Sequence, residues 1–323
     1  MQEQKTTAYV GIGTIMLALV LRLVISGSMP LFEQKWQEPV LSQPETVLQE
    51  TLPTETEPPP TEAPTEPPLQ IAPEEAMVQL SDQAGYAPDV QTLLLSPLCW
   101  QLRSEEPTVL IVHTHGTESY TKQEGEDYIE SSAYRTFDAD YNMISIAEEL
   151  TRVLEAGGVH VIHDRMLHDH PSYSGSYQHA RESIESHLAA YPSIQMVIDL
   201  HRDALDFNND PQLTTKAQVH GQLSSQLMLV AGTDKNVSYP GWENNLSLGL
   251  KLTAVLEKAY PGITRPIQLR AQRFNLDMST GSILVEVGAN GDSHAQALVA
   301  VRALGEAILT LADGANLQNG PPL

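Results

Sequence analysis

The chain predicts an α/β fold: a three-layer α/β/α domain on a largely parallel sheet, preceded by a transmembrane helix and a disordered linker. Three observations carry this expectation. From about residue 97, apolar runs alternate with helical patterns, the signature of strands joined by crossover helices. The stretch before it is rich in proline and glutamate, and the first 30 residues hold one long apolar run.

The N-terminal run extends from Tyr9 to Ile25. A helix over residues 7–26 would be about 30 Å long, the thickness of a bilayer's hydrocarbon core. Arg22 near its far end can snorkel toward the headgroups. Ser26-Gly27-Ser28 also resembles a small-x-small cleavage site, so residues 1–30 read either as a cytoplasmic stub with an uncleaved anchor or as a cleaved signal. Either reading exports the chain beyond residue 30. Residues 44–75 contain nine prolines, eight glutamates, six threonines and no Lys or Arg. Such a segment buries too little apolar surface to offset its ordering entropy. Residues 31–96 are therefore expected to be an acidic tether, whose proline-rich part alone could reach about 100 Å.

The folded domain is expected over residues 97–315, with 316–323 as a tail. Candidate strands are Thr108–Val112, Val159–Ile162, Gln195–Leu200, Gln226–Ala231 and Ser282–Val287; continuous apolar runs suit strands buried on both faces. Candidate helices are Tyr141–Ala156, which ends at Gly157, Tyr177–Ala190, which stops before Pro192, Trp242–Tyr260, and Ser293–Ala312, which opens on a serine cap. His220-Gly-Gln-Leu-Ser-Ser225 marks a hairpin between Val219 and Met228.

Charge and cysteine content narrow the function. With 18 basic and 41 acidic side chains the net charge is −23, which opposes tracking of a polyanion and excludes a nucleic-acid role. A single cysteine, Cys99, removes disulfide frameworks and multi-cysteine metal sites, and no base stands near it in sequence.

In open α/β sheets ligands gather at the carboxyl ends of strands. The first strand exits into His113-Thr-His115-Gly-Thr-Glu118-Ser-Tyr120, the third ends Asp199-Leu-His201-Arg202-Asp203, and the last carries Glu286 between apolar neighbours. Two histidines and a carboxylate satisfy a catalytic zinc site without cysteine. His113 and His115, two apart on an extended strand, point to the same side, so either both bind or His113 orients His115. Asp199 reads better as a buried orienting carboxylate than as a ligand. Glu286 in a buried strand is costly unless paired, liganded or functional. His168-Asp-His170 precedes Pro-Ser-Tyr-Ser-Gly and reads as a solvated loop.

Four segments in order, Val109–Tyr120, Asp199–Ala204, Arg273-Phe-Asn-Leu-Asp-Met-Ser279 and Leu284–Asn290, closely resemble the stage II sporulation protein P family. The anchor, spacer and exported domain match that family's layout. The family looks related to zinc-dependent N-acetylmuramoyl-L-alanine amidases, which cut glycan from stem peptide. The resemblance implies His115 and His201 as zinc ligands and Glu286 as catalytic glutamate. For the third ligand it implies Asp138, in Asp138-Ala-Asp-Tyr-Asn142, with Glu118 as the competitor. Arg202, Arg273 and Asn275 would bind substrate carboxylates or amides, while Arg273 alternatively pairs with a structural acid. It further implies a peptidoglycan substrate, a second cleavage of peptide crosslinks, a place at the sporulation septal membrane during engulfment, and stage II sporulation proteins D and M as partners.

Overall fold

The computed structural model describes residues 77–98, 101–205 and 212–314. The expected anchor, residues 31–76 of the linker, Cys99 and the tail 316–323 lie outside the described residues. The core is a seven-stranded mixed sheet. Its strands are β1 (Leu80–Asp82), β2 (Val109–Val112), β5 (Val161–His163), β6 (Met196–Asp203), β9 (Leu227–Gly232), β10 (Ile267–Arg270) and β11 (Ser282–Ala289), in the order β1-β10-β9-β11-β6-β2-β5. Every neighbouring pair is parallel except β11 and β9. Two parallel blocks therefore meet back to back, and β2, β6 and β11 end at one edge.

The helices follow the apolar spacing of the sequence. α2 (Met143–Ala156) is capped by Asn142, whose Oδ1 accepts from the Ile144 N–H at 2.9 Å, and it buries Met143, Ile146, Ala147, Leu150 and Leu154. α5 (His294–Ala312) opens on a reciprocal capping box between Ser293 and Gln296. It is long and apolar enough to cross a membrane, yet Ala297, Ala300, Val301, Leu304 and Ile308 are buried in the core. α2, α5 and α4 (Trp242–Ala259) pack on the face that carries Val109, Ile111 and Ile198. α3 (Ser176–Ala190) covers the other face, where Ile184 meets Leu110, Val112, Ile194 and Val197. Each fully buried Leu or Ile contributes about 1.5–3 kcal/mol, so this alternation along β2 fixes which side chains can reach the site edge.

The five predicted strands and four predicted helices are all present, and β6 and β11 run two or three residues further than expected. The hairpin is tighter than expected: β7 (Ala217–Val219) and β8 (Gln222–Ser224) join through His220 and Gly221 alone, both at positive φ. A second small hairpin, β3 (Glu130–Ser132) with β4 (Arg135–Thr136), rises from the segment after β2.

The expected start of the domain at residue 97 is corrected. β1 extends the sheet, with Leu80 beside Ile267, and a short helix, α1 (Val90–Leu95), buries Leu94 against α4. Both elements sit in what the sequence suggested was tether. They are too short to show periodicity, and proline and acid dominate the composition just upstream.

Candidate functional site

The carboxyl ends of β2, β6 and β11 bring together three segments far apart in sequence. Glu286 on β11 stands in register with His201 on β6. The loop after β2 is tied to β6 because the Thr114 N–H and Oγ donate to Asp199 at 2.8 and 2.7 Å. That clamp carries His115 to His201, with ring centroids 5.2 Å apart and planes perpendicular. The loop then turns back, the Glu118 N–H donating to His115 O at 3.0 Å. Glu118 Oε2 ends 3.8 Å from His201 Nδ1.

Electrostatics divides these groups by role. Burial works to raise the Glu118 pKa, but Arg202, His201, His115 and Arg135 outweigh it and hold the carboxyl below its ordinary range. Asp199 is likewise kept ionised against its burial by His201 and by the Thr114 bonds. His201 Nε2 lies 3.0 Å from Asp199 Oδ1, without the alignment of a hydrogen bond. Burial alone would discharge His201, but Asp199, Glu118 and Glu286 raise its proton affinity instead. His115 moves the other way, down to about 4, through burial and the neighbouring His201. Glu286 is pushed up to about 8, first by desolvation. It is partly exposed as a residue, but its Oε2 is buried and without a partner.

Gly288 explains why a glycine follows that glutamate. Its φ is +72°, and a Cβ there would stand 2.5 Å from Asp292 Oδ2 and 2.7 Å from Ser225 Oγ. β11 gains one residue relative to β6 between Glu286 and Ala289, a bulge of the kind that re-aims a side chain beside a site.

Several expectations are corrected. Asp138 is exposed, and its carboxylate accepts from the Asp140 N–H at 3.1 Å in the turn leading to α2; Glu118 is the carboxylate brought to the histidine pair. His113 and His115 do not face the same way, because the strand ends at Val112 and the chain turns. The buried His113 ring meets His163, Nε2 to Nε2 at 3.3 Å, and burial pushes its pKa down to about 3. Arg202 does not face a substrate. Its side chain is 1% exposed, donating to Ser119 O and Tyr134 O at 3.0 and 3.1 Å and packing on Glu118. Asn275 donates to Tyr177 O at 2.7 Å and so positions that tyrosine. Arg273 is partly exposed and paired with Asp277 at 3.0 Å.

The loop expected to be solvated is anchored. His168 and Asp169 are buried; His168 Nε2 is 3.1 Å from Asp164, and the Thr117 hydroxyl donates to Asp169 at 2.5 Å. The loop delivers Tyr173 onto His115, stacked with centroids 4.5 Å apart. Tyr177 meets His115 edge-on at 5.6 Å. Arg135, unnoticed in the sequence, joins everything: it donates to Asp169 at 2.7 Å and to Glu118 at 3.2 Å, and lies over the Tyr173 ring. Only the Tyr-Ser-Gly-Ser-Tyr spacing around the start of α3 could have signalled the two aromatic rings.

Two imidazoles, an ionised carboxylate and a second carboxyl at one strand edge suit a divalent cation by donor chemistry. Among the described residues no group of three or more His, Cys, Asp or Glu side chains already surrounds a common point. His115 Nδ1 and Glu286 Oε2 are nevertheless buried polar atoms with no hydrogen-bond partner, an unfavourable state that a bound group would relieve. The residues fit such an ion.

Comparison with known proteins agrees with the motif reading. Stage II sporulation protein P of Bacillus subtilis (strain 168) is 24% identical over 249 residues, covering 73% of this chain and 56% of that protein. The chain thus spans little more than half the length of the curated relative it matches. Among solved structures, the N-acetylmuramoyl-L-alanine amidase AmiC2 of Nostoc punctiforme aligns over 65% of this chain and 99% of its own, at 16% identity and a TM-score of 0.40. An N-acetylmuramoyl-L-alanine amidase from Clostridium difficile 630 aligns over 65% and 99%, at 13% identity and 0.39. The profile of the stage II sporulation protein P family matches residues 25–309, and the chain belongs to that family.

Proposed function

We propose that this protein is a zinc-dependent peptidoglycan hydrolase acting in sporulation, and that it cleaves the amide between N-acetylmuramic acid and the stem peptide. The observation that carries the reading is the meeting of His115, His201, Glu118 and Glu286 at the ends of three adjacent parallel strands. Family membership and the motif likeness to the amidases support the choice of substrate.

His115, His201 and Glu118 would hold the zinc. Bound there, the ion would supply a Lewis acid for the scissile carbonyl and for a water molecule. The chain's own groups account for the rest. Glu286, in register with His201 and with its Oε2 buried and unpartnered, would take a proton from water and return it to the leaving amine. Asp199, fixed by Thr114, sets the His201 ring. Arg135 and Arg202 keep Glu118 ionised. Tyr173 lies over His115 and shields it from bulk water.

The same reading makes residues 1–30 a membrane anchor and the acidic segment before β1 a spacer, so that an exported domain works on the septal wall. Stage II sporulation proteins D and M are the partners it implies, and cleavage of peptide crosslinks is a second activity it allows. The test is digestion of purified wall by the full chain and by Glu286→Gln, with the new chemical ends identified. Free stem peptide from wild type and none from Glu286→Gln is expected. Acetate release instead would make it a deacetylase, and new ends within the peptides alone a peptidase. Identical profiles from both proteins would reduce it to a wall-binding module.

A further inference from the structure

Tyr177 has two sides. One meets His115 and His201, with centroids at 5.6 and 6.4 Å; the other meets Phe274 at 5.9 Å and forms the wall of a cleft of about 550 Å³. Gln178 and Arg181 of α3, Asn236, Gln272 and Arg273 complete its polar lining. The segment at its floor is held in an unfavourable shape. Phe274 and Asn275 are consecutive non-glycine residues at φ +51° and +59°, a conformation that persists only where the surroundings impose it and that clusters at ligand sites. Here the Asn275 amide grips Tyr177 O, and the Leu276 N–H donates to Arg273 O at 2.9 Å. Gly232 permits the close approach: a Cβ there would stand 2.5 Å from Gln272 O and 2.8 Å from Arg273 Cα.

The chemistry of the lining is specific. Arg181 and Arg273 both reach Asp277 at 3.0 Å, and Arg181 also reaches Glu185 at 3.2 Å. Arg273 thus shares one carboxylate with a second guanidinium and keeps 33% of its side chain exposed. The side chains of Asn236 and Gln272 make no hydrogen bond among the described residues, whereas Gln178 is committed to Glu182 at 2.9 Å. Two uncommitted amides offer what a peptide backbone needs, and an under-shared guanidinium offers what a carboxylate needs. On a chain of net charge −23, an acidic ligand needs such a local cation to bind. A glycan strand is neutral once its lactyl carboxyl is in amide linkage, and gives Arg273 nothing to pair with.

We propose that this cleft holds the acidic peptide arm of the substrate, a carboxylate of the arm on Arg273 and its backbone amides on Gln272 and Asn236, so that the scissile amide is presented across Tyr177 to Glu286. The assignment rests on the hydrolase reading above and gives it a direction: peptide on the Tyr177 side, glycan away from it.

The test uses the full chain and isosteric changes that place an anion in the cleft, Gln272→Glu and, on a separate loop, Asn236→Asp. Two soluble fragments serve as substrates, a disaccharide–peptide with free carboxylates and the same fragment with its carboxylates amidated. Each variant should raise KM on both fragments, through loss of an amide donor, but about tenfold more on the free acid than on the amidated one, and leave kcat nearly unchanged. Equal effects on both fragments, or none on either, would overturn the assignment. Titration of the sugar-free peptide onto Glu286→Gln separates this idea from the hydrolase reading. Peptide binding that Gln272→Glu weakens about tenfold upholds the cleft even if the wild type hydrolyses nothing. Hydrolysis by the wild type with no peptide binding discards the cleft and keeps the enzyme.

Discussion

The backbone N–H of Arg202 donates to Glu118 Oε2 at 3.2 Å. The residue next to His201 on β6 therefore also fixes the carboxylate that faces His201. With the Arg202 guanidinium 3.7 Å from Oε1 and Arg135 at 3.2 Å, Glu118 is oriented from two sides and kept charged. Asp138 has no such setting.

Glu118→Gln should lower zinc affinity by at least about 100-fold, beyond the 10–100-fold typical of losing an outer partner. A neutral amide cannot replace the anion, and Arg135 and Arg202 would be left facing each other. Asp138→Asn should leave affinity unchanged. Metal content after dialysis against a graded chelator reads both; the opposite ranking would restore Asp138 as the ligand.

Tyr173→Ala should reduce kcat/KM by about tenfold with little change in Tm. Tyr173 is 59% exposed, so loss of its ring opens no core cavity, but it uncovers His115 and removes the surface on which Arg135 rests. Tyr173→Phe keeps the stacked face and should retain activity. A large drop in Tm for the alanine variant would mean that the loop, and not the ring, is what matters.

Much of this was legible in the sequence, for identifiable reasons. Strand-exit histidines and the glutamate in Ile-Leu-Val-Glu-Val-Gly stand out because imidazole and carboxylate are out of place beside buried strands. Thr114 was not singled out, although its bonds to Asp199 unite the two histidine loops, because a threonine after a strand is ordinary until its partner is known. Arg135 and the anchoring role of Asp169 are not legible because each acts through residues 17 to 52 positions away. Asp138 misled because a short helix-opening pattern says nothing about how far the β3–β4 excursion carries the chain. β1 and α1 escaped for want of length, since three and six residues cannot display a period.

Gly288→Ala should destabilise the fold by about 2–4 kcal/mol, combining a left-handed backbone with overpacking. The neighbours Asp292 and Ser225 cannot withdraw freely, because Asp292 also accepts from the Thr215 N–H and hydroxyl at 2.7 and 2.6 Å. Denaturant unfolding measures the loss. Because the bulge also aims Glu286, the variant's residual activity should fall further than its folded fraction; activity in proportion to folded protein would show that the bulge only stabilises.

Lys251 gives a prediction in pH. It is 1% exposed, and its ammonium donates to Leu94 O and, more distantly, to Leu93 O, which also accepts from the Ser247 hydroxyl and the Ser96 N–H at the end of α1. Burial pulls its pKa down to about 8, below the unfolded value of about 10.4. Between these values the unfolded chain binds the extra proton, so stability rises with pH across that window. Lys251→Met removes the titrating group while filling the same space. The stability of wild type relative to Lys251→Met should therefore grow by an amount on the order of 2 kcal/mol between pH 8 and 10.5, with every other lysine and tyrosine cancelling in the difference. Denaturant unfolding of both proteins at the two pH values measures it. A flat difference would mean that the ammonium is solvated and that α1 stands off from α4.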